Sequence, residues 1–305
     1  MTRATALPAL PYAPWEPTKT TLHLWAQIVG KIRLKSTPHR NQWWNATLAF
    51  TPRGLAARGM RQNGVDFEIE FDFIDHRLAG RANSGQMESF ALHDGLSVAR
   101  FFANVTDLLR TLGVEVSILA KPYGVPITTP FAADEEHHAY DADAVARWWH
   151  IGHWTVDVFD EFGSEFAGKQ SPAHLFWHSF DIAMARYNGR LAPERAGANL
   201  VEREAYYYED IAIGFWPGDR NVPAPTYYTY TAPEPETLTR QTLRPSSAAW
   251  VASGSGHLGT LPYDVVRESD DPRSTLLDFV RSGYEAGTKA AGWDARALAS
   301  AFPYR

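Results

Sequence analysis

Three sets of polar residues in this 305-residue chain have types and spacings that could do chemistry. His150, His153 and Asp157 stand at i, i+3 and i+7, so on a helix their side chains converge within two turns. Two imidazoles and a carboxylate form a divalent-metal set that can leave positions open for water or substrate, as a metal-dependent hydrolase requires. The competing reading puts Arg147, His150, Asp157 and Glu161 on the solvent face of that helix, opposite its Trp/Phe stripe. No cofactor other than such a divalent ion is indicated.

The second set is aromatic. Trp and Tyr crowd residues 148–230, and their polar tips favour clefts and interfaces over the middle of a core. Tyr206, Tyr207 and Tyr208 on one strand cannot all face inward, so at least one meets a surface or a pocket. The candidate ligand-binding residues are His174, Trp177, Glu204, Tyr207, Glu209 and Trp216, with the histidine and glutamates orienting a small molecule between rings. His174 and His178 would lie about 13 Å apart along a strand, too far to share one metal ion. On a helix they would lie one turn apart. Glu68, Glu70 and Asp72 form the third set, a row of carboxylates about 6.6 Å apart along a strand. That spacing suits an acid/base pair, although alternation with Phe is also the pattern of an ordinary solvated sheet face.

Several functions are closed or left without a signature. The chain has no cysteine, which removes disulfides, thiolate metal sites and cysteine nucleophiles and fits a reducing compartment. Its net charge of -6, with 29 basic residues scattered among 35 acidic ones, argues against a nucleic-acid partner. No stretch approaches the roughly 20 apolar residues of a membrane helix, and the proline-broken start lacks the apolar segment of a signal peptide. A cytoplasmic protein is expected, with a small-molecule ligand or self-association through exposed tyrosines as its partners. Gly254-Ser-Gly-His-Leu-Gly259 matches the dinucleotide fingerprint in letters only, because Pro262 follows where a helix should open. The signatures of serine hydrolases, zincins and P-loop enzymes do not occur.

The elements that would hold these residues form a repeated pattern. Residues 1–17 read as an extended arm, and an amphipathic helix starts at Thr18. Strands follow at 43–50 and 67–73 and as a hairpin over 77–92, then a helix capped by Ser97 and closed by Gly113. A strand is expected at 114–119, and 131–143 reads as a wet linker. A long helix opens the second half at 144. Ser171–Arg190 echoes Asn41–Gly54 in its paired aromatics, apolar stretch and turn; it reads as strand, with Asn188-Gly189 as a hairpin turn, while Ser171-Pro172 also suits a helix start. Strands at 206–216 and 226–231, a hairpin over 248–261 and a helix capped by Asp271 complete the chain. The fold class is α+β: two tandem related halves, 18–130 and 144–305, each a helix, about four mainly antiparallel strands and a helix.

WEPTKTTLHLW at Trp15–Trp25, FDFIDH at Phe71–His76, SPAHLFWHSFD at Ser171–Asp181, GFWPGD at Gly214–Asp219 and LPYDVVR at Leu261–Arg267 resemble a bacterial family of roughly 300-residue proteins classed as a domain of unknown function. The resemblance spans nearly the whole chain and implies no activity.

Overall fold

Residues 6–195 and 197–302 are described in a computed structural model. Helix α1 (Tyr12–Ser36) leads into strands β1 (Thr47–Thr51), β2 (Gly54–Gln62), β3 (Val65–Asp72), β4 (Arg77–Ala82) and β5 (Met87–Ala91), followed by α2 (Val98–Thr111). Helix α3 (Ala142–Gly163) opens the remainder, with β6 (Lys169–Gln170), β7 (His174–Phe176), β8 (Asp181–Leu191), α4 (Leu200–Ala205), β9 (Tyr208–Trp216), β10 (Thr226–Ala232), β11 (Ala249–Ser253), β12 (Gly256–Pro262), α5 (Tyr263–Arg267) and α6 (Pro272–Ala291). The fold is α+β, with antiparallel strand pairing throughout.

The strands make one sheet in the order β11-β12-β10-β9-β8-β7-β1-β2-β3-β4-β5, with β6 paired to β8 outside that path. It is continuous because β1 pairs with β7, Thr47 opposite Phe176 and Leu48 opposite Leu175. Alternation then sorts the side chains. Leu48, Leu175, Ile182, Phe215, Tyr227 and Leu261 lie in one row across the sheet, and all are fully buried or nearly so. The four long helices cover this face. Gly152 of α3 sits on Phe50 and Ile182, Gly283 and Gly287 of α6 sit on Thr229 and Thr231, and Leu108 and Leu112 of α2 close over Gly80.

Helix α1 starts six residues earlier than its apolar period suggests and takes in the last six residues of the expected arm. Tyr12 and Trp15 are buried, which outweighs the hydrogen bond lost at Pro17. It is also buried on nearly every side and not amphipathic. Gly30 is the reason it can lie close to the β7–β8 turn: a Cβ there would fall 2.3 Å from the Trp177 ring. Gly30→Ala should therefore lower stability by about 1–2 kcal/mol in urea unfolding, since overpacking at about 1–3 kcal/mol exceeds the roughly 1 kcal/mol of helix propensity gained.

Other expectations change. Residues 114–119 form no strand. The acidic segment after 131 is no wet linker, because Asp134 is buried and the carbonyls of Asp134, His137 and His138 accept hydrogen bonds from the backbone at Ala99, Val98 and Gly95, around the first turn of α2. Ser171–Arg190 is extended and not helical, but it is two strands: β7 ends at Phe176, Phe180 takes φ 62° in the turn, and β8 begins at Asp181. Its aromatics thus occupy a turn between strands, whereas Trp43 and Trp44 precede β1. Glu68, Glu70 and Asp72 share a face, but Glu70 and Asp72 are buried and neutralised, Glu70 by Arg81 and Thr51 and Asp72 by Arg53. No helix among the described residues is long and apolar enough to cross a membrane.

Candidate functional site

The sheet face opposite the long helices carries a cleft of about 320 Å³ over β7 to β10. Its floor is made of small side chains, Ala183 and Ala185 at alternating positions on β8 and Ala212 on β9. Large ones rise around it: Phe176 beside the β7–β8 turn, Tyr187 on β8, Trp216 at the end of β9, Tyr228 and Tyr230 on β10. Tyr206, just after α4, and Trp44, just before β1, close it from above. Gly214 has a defined part in this. A Cβ there would lie 2.2 Å from the Tyr228 ring, so its absence lets that ring cross β9 and donate its hydroxyl hydrogen to Asp181 Oδ2.

Asp181 accepts a second hydroxyl hydrogen from Ser179, whose Oγ is 3.5 Å from His178 Nε2. The serine proton thus faces the carboxylate directly. A nucleophile-activating triad places the imidazole between serine and acid, an order these three residues do not have. Burial pushes the His178 imidazole down, partly opposed by the Asp181 charge.

Asp210 is the unusual group. It projects from β9 into the cleft, opposite Tyr187 on β8, with 2% of its surface exposed, and its Oδ1 has no hydrogen-bond partner. Burial holds its carboxyl well above the usual carboxylate range, with only partial relief from the Arg195 charge. Gln42 Nε2 and Trp216 Nε1 are two further buried donors in the same lining without partners. Native interiors rarely leave such groups unpaired, because each costs about 1–3 kcal/mol. Unpaired buried groups also occur in the core, at Trp15, Trp25 and Trp148, so what sets Asp210 apart is that it is a carboxyl group lining a cleft. By contrast, the largest depression, about 640 Å³ over β2 to β4, is open surface whose charges are already paired, Arg61 with Asp66 and Arg81 with Glu68.

The six residues expected to bind ligand are scattered. Trp216 lines the cleft. His174 is on the same sheet face, paired to Ala183, but is covered, with Nε2 unpartnered and burial pushing its imidazole down to about 3. Trp177 is packed into the groove at Gly30 under the Lys31 ammonium. Glu204 binds His39 at 2.5 Å, and it and Tyr207, 53% exposed, border a separate depression beside α4. Tyr207 is thus the outward member of the three tyrosines. Glu209 accepts from Asn188, Arg190 and Trp293 and so belongs to the helix side of the sheet. It is the neighbour, Asp210, that faces the cleft.

The metal set is not assembled. His153 is exposed against the edge of Trp149, and Asp157 is paired with Arg273 at 2.7 Å, along with Glu161. Among the described residues no three His, Cys, Asp or Glu side chains are placed to hold a metal ion. His150, His153 and Asp157 sit on the outer side of α3, as the competing solvent-face reading has it.

Asp181 and Asp210 carry no catalytic or ligand-binding motif that marks them in the sequence. Strand parity carried the missing signal: with Ile211, Ile213 and Phe215 in the core, Asp210, Ala212, Gly214 and Trp216 must face the other way. A model described as a family of unknown function (DUF5996) matches residues 7–300, so the chain belongs to that family. No curated protein and no solved structure matches it.

Proposed function

We propose that this member of a family of unknown function binds a small organic ligand in the aromatic cleft over β7 to β10. The observation that carries the reading is the buried, unpartnered carboxyl oxygen of Asp210 in a cavity of ligand size with aromatic walls. Ala185 is half-buried and lies on the floor, so Ala185→Phe fills the cavity without entering the core. A thermal-shift screen of a fragment library should yield ligands that raise the melting temperature of the wild type and leave Ala185→Phe unmoved. A screen in which every hit acts equally on both proteins would remove the cleft from consideration.

The same reading takes the chain as two related halves meeting at β1 and β7. What supports it is the order of elements. A helix precedes each set of strands and a helix follows it, and β1 to β5 and β7 to β10 each run outward from the central pair in chain order, with β12 and then β11 completing the second edge. The second copy would then be the one furnished for binding, since its open face carries small floor residues where that of β3 carries the arginine-paired Glu68, Glu70 and Asp72.

A further inference from the structure

Resting on the cleft reading above, we propose that the ligand is an organic cation, an ammonium compound with an apolar or aromatic body, whose head lies against Asp210 with Asp181 as a second acceptor. Four observations converge on this chemistry. First, Asp210 Oδ1 is buried without a partner, a position in which a carboxyl group needs a donor or a cation. Second, among the described residues no Lys or Arg makes an ion pair with either carboxylate. Arg195, the cation that acts on Asp210, stacks its guanidinium on the Tyr206 ring at 3.9 Å. Third, the cleft lining contains two carboxyl groups and no Lys or Arg, with the cations Lys169 and Arg195 lying behind its rings. Fourth, rings surround the position, and an ammonium over aromatic faces is attracted by the ring quadrupole, most strongly when desolvated.

The molecule already places one ammonium against rings at this end of the sheet, where burial lowers its pKa. Lys169 Nζ lies 5.3, 5.0 and 4.6 Å from the ring centres of Trp44, Tyr187 and Tyr208 and donates to Gln42 Oε1 at 2.6 Å. Trp44 and Tyr187 are cleft residues, so the proposed head group would share their rings with this lysine.

Binding has a proton balance that the test can read. The groups that act on Asp210 are Arg195 from the loop before α4 and Tyr187, Tyr206 and Tyr230 from β8, the end of α4 and β10. Burial raises the Asp210 carboxyl, and a cation beside it favours the charged form, so binding favours release of its proton to solvent. Affinity should then weaken on acidification.

The experiment is calorimetric titration of the full chain at pH 6, 7 and 8 with benzylamine, tyramine and choline. Benzyl alcohol and benzoate serve as neutral and anionic counterparts. The expected result is that an ammonium probe binds at least tenfold more tightly than the uncharged and anionic probes and tightens with pH. Its heat should vary with buffer ionisation enthalpy, as proton release requires. Asp210→Asn should weaken it at least tenfold and leave benzyl alcohol unchanged; Asp181→Asn, which keeps an acceptor for Tyr228, provides the second variant and should weaken it severalfold. Tighter binding of benzyl alcohol or benzoate, lost in Ala185→Phe, would overturn the cation while leaving the cleft. If no probe binds in a way that Ala185→Phe abolishes, both readings fall. Unchanged ammonium affinity in folded Asp210→Asn and Asp181→Asn also overturns it.

Discussion

Between pH 6 and pH 4 the protein should lose stability at each step of acidification, and the source is three histidines whose imidazoles burial pushes down, His23, His174 and His178. His23 on α1 and His174 on β7 are both held down to about 3 by burial, with the Lys19 and Arg33 charges acting in the same direction. His23 Nε2 lies 3.0 Å from the Trp177 carbonyl and 3.2 Å from that of His178, which fixes it as a neutral donor. Both imidazoles are therefore neutral in the fold, whereas in the unfolded chain they take up protons below about 6.5. Their contribution is fully present above that pH and is lost as pH falls toward 3. Asp210 acts in the opposite sense: its carboxyl keeps a proton in the fold that the unfolded chain releases above about 4. Three imidazoles that gain protons on unfolding outnumber the one carboxyl that releases its own, so stability falls on acidification. Stability measured by urea unfolding across this range should fall more steeply in Asp210→Asn, and less steeply by about 1.4 kcal/mol per pH unit in His174→Phe. A wild-type profile that does not fall on acidification would show that the histidines are protonated in the fold.

How far the sequence reveals the fold depends on how local each cause is. Helix α2 is legible to its ends because its apolar stripe, its Ser97 cap accepting from the Arg100 amide and its Gly113 at φ 75° are all written within it. The β11–β12 hairpin and the cap at Asp271 are legible for the same reason. Helix α4 was also announced locally, by the reciprocal cap between Asn199 and Glu202, a signal masked by reading Tyr206 onward as strand. The start of α1 depends on distant partners, since nothing near Trp15 in sequence indicates that Trp148 stacks on it. The cleft lies between these extremes. Its aromatic character and its place over the second half's strands could be read, as could Trp216. The carboxylates could not be assigned until the core side of β8 and β9 was known, and one step of parity separates Glu209, bonded to Trp293 on the helix side, from Asp210 in the cavity.

Replacing Trp148 by alanine should cost about 3–5 kcal/mol and should do so in a single unfolding transition. Trp148 is fully buried on α3 and stacks on Phe180 at 4.9 Å and 14°, and on Trp15 at 6.0 Å and 24°. Phe50 and Phe73 approach it at 5.9 and 6.2 Å. Its indole nitrogen has no hydrogen-bond partner, so the substitution removes packing and strands no polar group. The contacts come from α1, β1, the residue after β3 and the β7–β8 turn, which puts elements of both proposed halves around one ring. A cavity at that place weakens every layer at once, because β1 and β7 are hydrogen-bonded neighbours in the sheet above it. Tryptophan fluorescence and far-ultraviolet circular dichroism followed through one urea titration should therefore move together, at a lower midpoint than in the wild type. Separate midpoints would mean that the halves unfold independently despite the shared sheet, and a loss under 1 kcal/mol would mean that the aromatic cluster can collapse into the space. Trp148→Phe, which keeps a ring against Phe180, should recover part of the loss if stacking is what joins the two sides.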